Sequence, residues 1–179
     1  MRKLIGALVL VLVAGVMLVP ATASATHSNG QGPNKDFQNG SDKTSCPTPF
    51  GSFPCQVHLN GQSESATGPG VPASGTWFLN IFTGGFLGLP DPVVLSGDVI
   101  CLTAIGNSSW VRQLITDSNT GLAPPGFTII GRAIDNGEGA NDPEDESTGF
   151  LAPPGTTCPP TPIATTPIAQ GNIVVHDGI

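Results

Sequence analysis

The chain has 179 residues, of which 24 are Gly and 18 are Pro, while 11% are charged and 39% are hydrophobic. So much Gly and Pro argues against long helices, because both interrupt helix interiors, and the hydrophobic share argues against wholesale disorder. The formal net charge is −7; such a chain repels phosphate backbones, so nucleic acid is not an expected partner.

Residues 1–25 read as a signal peptide. Met1-Arg2-Lys3 is a short positive start, Leu4 to Val19 is an uninterrupted apolar run, and Ala23-Ser24-Ala25 is a small-x-small cleavage site. The run is shorter than the roughly 20 residues a bilayer span needs, and no stop-transfer pattern follows. No cysteine neighbours the cut, as a lipid anchor would require. The mature chain is therefore expected to carry no membrane span and to be secreted or otherwise extracytoplasmic, and the loss of Arg2 and Lys3 leaves it more acidic still.

Residues 26–45 are polar and Gly/Asn-rich without apolar periodicity, which predicts a flexible leader. A single β-domain is expected over 46–179. Its four cysteines, Cys46, Cys55, Cys101 and Cys158, lie in the exported part, where an oxidising compartment favours disulfides. Three pairings are open to four cysteines. The turn-rich octapeptide between Cys46 and Cys55 favours a local bridge, which pairs Cys101 with Cys158. A zinc site is disfavoured, because no Cys-x-x-Cys or clustered His-Cys spacing occurs.

Val57 and Leu59 alternate with His58 and Asn60, the period of a half-buried strand. Thr76 to Thr83 holds Trp77, Phe78, Leu79, Ile81 and Phe82 and predicts a second strand, and Val93 to Leu95 a short third. Val99 to Ile105 and Ser108 to Ile115 flank Gly106-Asn107, a pair that supplies the positive φ of a tight hairpin. Phe127 to Ile134 follows the Pro124-Pro125-Gly126 turn as a further strand. Residues 152–169 are Pro/Thr-rich and read as an extended connector, carrying the chain to a terminal strand at 171–175 with apolar residues on both faces. The expected fold is all-β: a small antiparallel β-sandwich or β-barrel of about seven or eight strands.

The segments Gly97-Asp98-Val99-Ile100-Cys101-Leu102, Gly106-Asn107, Ile134-Asp135-Asn136-Gly137-Glu138 and Gly171 to Asp177 resemble a family of small exported actinobacterial proteins without an assigned activity. The hairpin and the Asp-Asn-Gly-Glu segment also look like the post-COAP domain of bacterial surface proteins. The likeness runs from about Gln56 to Asp177. It implies an exported β-domain and brings no catalytic residue with it. The Cys46 and Cys55 pair lies outside its pattern.

Asp135, Glu138, Asp142, Glu144, Asp145 and Glu146 crowd one Gly/Asn-rich loop. Oxygen ligands on a bendable backbone suit calcium, but the EF-hand spacing is absent, so weak calcium binding is the most this loop implies and no other cofactor is expected. His58, His176 and Asp177 are candidate general-base groups, yet nothing in the sequence brings them together, and neither a nucleophile elbow nor a zinc-binding helix motif occurs. No catalytic residue is assigned. Asn107-Ser108-Ser109 has the form of a glycosylation acceptor, but its place suits the hairpin turn better. Trp77, Phe78, Phe82, Phe86 and Trp110 suit a core or an aromatic pocket. The loop Thr83 to Pro90, with Phe82, Phe86, Leu87 and Leu89, is apolar and loosened by glycine, and it is the candidate partner-binding tip. The sequence thus predicts a non-enzymatic exported module that interacts outside the cytoplasm, its partner an envelope or extracellular protein. A calcium-binding or small-apolar-ligand-binding protein is the alternative, and an extracellular enzyme comes third.

Overall fold

Alternating side-chain burial defines the strands of the computed structural model, which describes residues 35–64, 71–137, 142–154 and 162–178. They are β1 (Phe37–Thr48), β2 (Gly51–Ser63), β3 (Ala73–Ile81), β4 (Val93–Ile105), β5 (Ser108–Ser118), β6 (Thr128–Ile134), β7 (Glu146–Ala152), β8 (Thr166–Pro167) and β9 (Gln170–His176). The fold is all-β, with one turn of 3-10 helix at Phe86–Gly88 as the other regular element among the described residues.

All nine strands belong to one antiparallel sheet in the order β8-β7-β6-β5-β4-β3-β2-β1-β9. Up to β7 each strand pairs with the one before it, so the chain is a simple meander. The sheet curls into an incomplete barrel. Its concave face buries Leu59, Trp77, Leu79, Leu95, Val99, Leu102, Val111, Ile115 and Ile129 in one apolar cluster. The β4–β5 hairpin turns at Gly106-Asn107 as expected, with Ile105 opposite Ser108 and Gly106 at φ 59°. Two register shifts, at Ser96/Gly97 and Val99/Cys101, bend this long pair and help the sheet to curl. At Gly97 a Cβ would lie 1.9 Å from the Leu114 carbonyl oxygen, so the bend admits only glycine.

The seam of the barrel lies between β7 and β1, which share no ladder of their own. The C-terminal segment fills its lower half: Thr166 and Pro167 pair with β7, and Gln170 to His176 pair with β1 from Lys43 to Phe37. Between these two ladders the Ile168 amide donates to the Asp145 carbonyl and the Ala169 amide to the Lys43 carbonyl. Ile168 and Ile173 pack with Ala133 in a second apolar cluster beneath the seam. Gly171, at φ 136°, lets the strands approach; a Cβ there would fall 2.1 Å from the Ser41 carbonyl oxygen.

Several boundaries differ from the expectations. The segment 26–45 is not a leader throughout, since residues 37–45 form most of β1, flanked by β2 and β9. Its inward row runs Gln38, Gly40, Asp42 and Thr44, so it lacks the apolar alternation that marks a strand; hydrogen bonds hold part of it instead, as where Ser109 Oγ donates to Gln38 Oε1 at 2.7 Å. Residues 152–169 are not a plain connector, because Ala152 ends β7 and Thr166–Pro167 is β8. The terminal strand expected at 171–175 extends over Gln170–His176. Val93 to Leu95 begins the long β4 rather than forming a strand of its own, and the count is nine strands because β1, β7 and the two-residue β8 add to those expected.

A candidate ligand site at the open end of the barrel

The two ends of the barrel differ in chemistry. At one end, aspartates accept hydrogen bonds from backbone amides. Asp36, fully buried, takes the Ala104 amide at 2.8 Å and the Gly178 amide at 3.1 Å, while its own amide donates to Ser63 Oγ at 3.0 Å. Asp145 takes the amides of Ile173 (2.8 Å) and Asn136 (2.9 Å), and Asp135 those of Val175 (3.0 Å) and Gly137 (2.9 Å). Asp177 takes the Gly106 amide at the hairpin turn at 2.8 Å. Asp145 and Asp135, through the Ile173 and Val175 amides, do for the free edge of β9 what a further strand would do.

This placement redefines the acidic loop. Asp135 and Asp145 turn their oxygens to the backbone, Glu146 bonds the Thr165 hydroxyl, and Glu144 offers its carbonyl to Asn136 Nδ2 at 2.7 Å. Asp142 lies beside Gly137, where a Cβ on that glycine would sit 2.8 Å from the Asp142 carboxylate. Glu138 lies outside the described residues. Among the described residues no three His, Cys, Asp or Glu side chains are grouped to hold a metal ion.

The opposite end is open and apolar. Here the β1–β2 hairpin tip, the loop after β3 and the segment after β5 surround a cavity of about 250 Å³. Its walls include Pro47, Phe50, Phe53, Leu89, Leu122 and Leu151, with Thr48, Thr83 and Thr120 as the polar exceptions. Phe50, Leu122 and Leu151 remain exposed at its rim. The Cys46–Cys55 disulfide, at 2.05 Å, staples the hairpin that forms one wall. Cys101 is disulfide-bonded as well; Cys158, its expected partner, lies outside the described residues.

The candidate partner loop sits on this rim. Thr83 is buried and organises it, accepting from the Gly85 amide (3.2 Å) and donating to the Pro90 carbonyl (2.9 Å). Phe86 packs 5.6 Å from Phe53 and 6.4 Å from Phe50, ring centre to ring centre. Leu89 lines the cavity, Phe82 is exposed, and Leu87 projects with 74% of its surface in solvent and a left-handed backbone at φ 53°. The large rings therefore divide. Trp77 and Trp110 are core, with Trp77 Nε1 donating to the Leu114 carbonyl at 3.1 Å, whereas Phe82 and Phe86 belong to the open rim.

A second, more polar cavity of about 100 Å³ lies inside the seam, bordered by Asp42, Thr44, Val57, Val111, Gln113, Ile129 and Ser147. Pro47 and Ile81 border both cavities. Asp42 is 5% exposed; Ser147 Oγ donates to its Oδ2 at 2.6 Å, while its Oδ1 and the Thr44 hydroxyl, both buried, have no hydrogen-bond partner among the described residues. Burial pushes the Asp42 carboxyl above its usual range, and the Ser147 bond opposes this only in part. Nothing in the sequence singled out Asp42, because an isolated acid in a polar stretch looks like solvated surface.

His58 and His176 do not converge. His58 is paired with Ser41 and His176 with Phe37, four residues apart along β1, and His176 stacks on Phe37 at 5.0 Å. Asn107 serves the hairpin, its Nδ2 donating to the Asp135 carbonyl at 2.9 Å. Comparison with protein-family models, with curated proteins and with solved structures finds no match to this chain.

Proposed function

We propose that the protein is an exported, non-enzymatic binding module that works outside the cytoplasm, and that the open end of its barrel holds a small apolar molecule. The observation that carries this reading is the apolar cavity of about 250 Å³ whose rim leaves Phe50, Leu122 and Leu151 in solvent. Concave apolar surface with a few polar groups is the usual chemistry of small-molecule sites, and a folded chain gains nothing by leaving such side chains unburied at one end. Export is supported by the signal-like residues 1–25 and by a Cys46–Cys55 disulfide suited to an oxidising compartment. The resemblance to small exported actinobacterial proteins points the same way. Calcium binding has less support, because Asp135 and Asp145 already accept backbone hydrogen bonds on both oxygens.

Titration of the oxidised protein with the neutral dye N-phenylnaphthylamine tests the reading. Its fluorescence should rise and shift to the blue, and Leu122→Lys or Leu151→Asp should abolish the response while Leu87→Ser, at the outward tip, retains it. No response in the unmodified protein, or an undiminished one in Leu122→Lys and Leu151→Asp, overturns the assignment.

A further inference from the structure

We infer that the ligand is an amphiphile, with a slender apolar body in the open end and a hydrogen-bond-donating head, hydroxyl or ammonium, seated on Asp42 and Thr44 inside the seam. This rests on the reading of the open end as a binding site and adds the polar half of the ligand. Asp42 Oδ1, an acceptor, and the Thr44 hydroxyl, which can accept or donate, are buried without partners and border the inner cavity. A polar atom taken from water and left unbonded is costly, so a cavity bordered by two of them, two residues apart along β1, is suited to an occupant that satisfies them. Pro47 and Ile81 border both cavities, so the two are neighbours inside the barrel.

The head is assigned as a donor by Asp42, since the Thr44 hydroxyl can accept or donate. Asp42 offers a carboxyl oxygen, and no basic side chain bonds it among the described residues. Arg132 also borders the inner cavity; its Nη1 donates to the Ile163 carbonyl at 2.7 Å and the guanidinium lies 5.2 Å over the Trp110 ring, while its Nε is buried without a partner. An added β-strand is a poorer occupant of the upper seam. The stretch of β1 beyond the β9 ladder is short, Thr44 to Thr48, and contains Pro47, which has no amide to donate.

Displacement of N-phenylnaphthylamine by three ligands of similar length tests the inference. Both n-octanol and n-octylammonium carry donor heads, whereas heptyl methyl ether, an isomer of octanol, can only accept. Octanol or octylammonium should displace the dye at a concentration at least about tenfold below that of the ether, since a site built for a donor rejects an analogue without one; which of the two is stronger identifies the natural head. Thr44→Val, nearly isosteric, and Asp42→Ala should each reduce that preference. Equal displacement by octanol, octylammonium and the ether, or a donor preference that survives both substitutions, overturns the amphiphile inference and leaves the apolar site standing. Absence of dye binding overturns both.

Discussion

Ser147 Oγ donates to Asp42 Oδ2 across the seam at 2.6 Å, joining β7 to β1 through side chains where no ladder joins them directly. The bond fixes one carboxyl oxygen and leaves the other buried and unbonded. Burial raises the Asp42 pKa above 3.8, so the folded chain holds this proton more tightly than the unfolded chain. Its contribution to stability is therefore lost as pH rises from 3.8 through the raised folded value. Asp42→Asn, which stays neutral and can still accept from Ser147, should gain stability relative to the unmodified protein across that window. Urea unfolding of both proteins at neutral pH and below 3.8 measures this; a difference that does not grow toward neutral pH contradicts the sign.

The Cys46–Cys55 bridge closes a short loop and holds the wall of the open end. In the loop-closure picture a loop of this size contributes about 2 to 3 kcal/mol. Replacing both cysteines with serine should lower the unfolding free energy by about that amount and weaken dye binding, because the hairpin tip carrying Phe50 and Phe53 is released. Unreduced peptide mapping should recover Cys46 linked to Cys55 and Cys101 linked to Cys158, and a Cys46–Cys101 peptide contradicts the pattern.

The apolar half of the barrel was legible in the sequence and the polar half was not. The β4–β5 hairpin carries Gly106-Asn107 between two β-rich runs, and β3 and β6 present dense apolar residues, so pattern and structure agree. β1 presents Gln38, Gly40, Asp42 and Thr44 to the interior, and β7 reads Glu-Ser-Thr-Gly-Phe-Leu-Ala beside an acidic loop. Such strands are held by hydrogen bonds from residues far along the chain, and periodicity cannot register those. The rim loop was legible because Phe86 and Leu87 are unusual in a Gly-rich turn. Asp42 was not, since its significance comes from what the closed sheet places around it.

Asp36 is the most completely enclosed of the aspartates at the closed end and links the start of β1 to β2, β4 and the C-terminus. Asp36→Ala leaves the Ala104 and Gly178 amides without their partner and should cost about 3 kcal/mol, within the range for breaking a buried, charge-assisted network. Asp145→Ala should cost less, since its bond from the Asn136 amide is only partly buried, whereas both amide bonds to Asp36 are buried. Thermal unfolding ranks the two variants, and a silent Asp36→Ala contradicts the network.

Calcium should bind weakly if at all. Calorimetric titration is expected to show no dissociation constant tighter than about 100 μM, the weak range of extracellular modules. Micromolar binding lost in Asp142→Asn would establish a site built from the loop that includes Glu138.

The C-terminal segment decides whether the barrel exists at all. Thr166 to His176 supplies the ladder to β7, the ladder to β1 and the amides that Asp135 and Asp145 accept, while Ile168 and Ile173 fill the cluster beneath the seam. Burying those two side chains contributes roughly 1.5 to 3 kcal/mol each before ordering entropy is subtracted. Truncation after Pro167 removes β9 and Ile173, exposes the edge of β1, and leaves both aspartates facing vacated positions. The melting temperature should fall steeply, and the exposed edge should promote self-association. Ile173→Asp tests the same claim without shortening the chain: it places a charge in the cluster and should destabilise comparably, whereas Asn39→Asp, on the exposed face of β1, should be nearly neutral. An unchanged melting temperature in both the truncated chain and Ile173→Asp would mean that the sheet holds its curl without the strand that fills its seam.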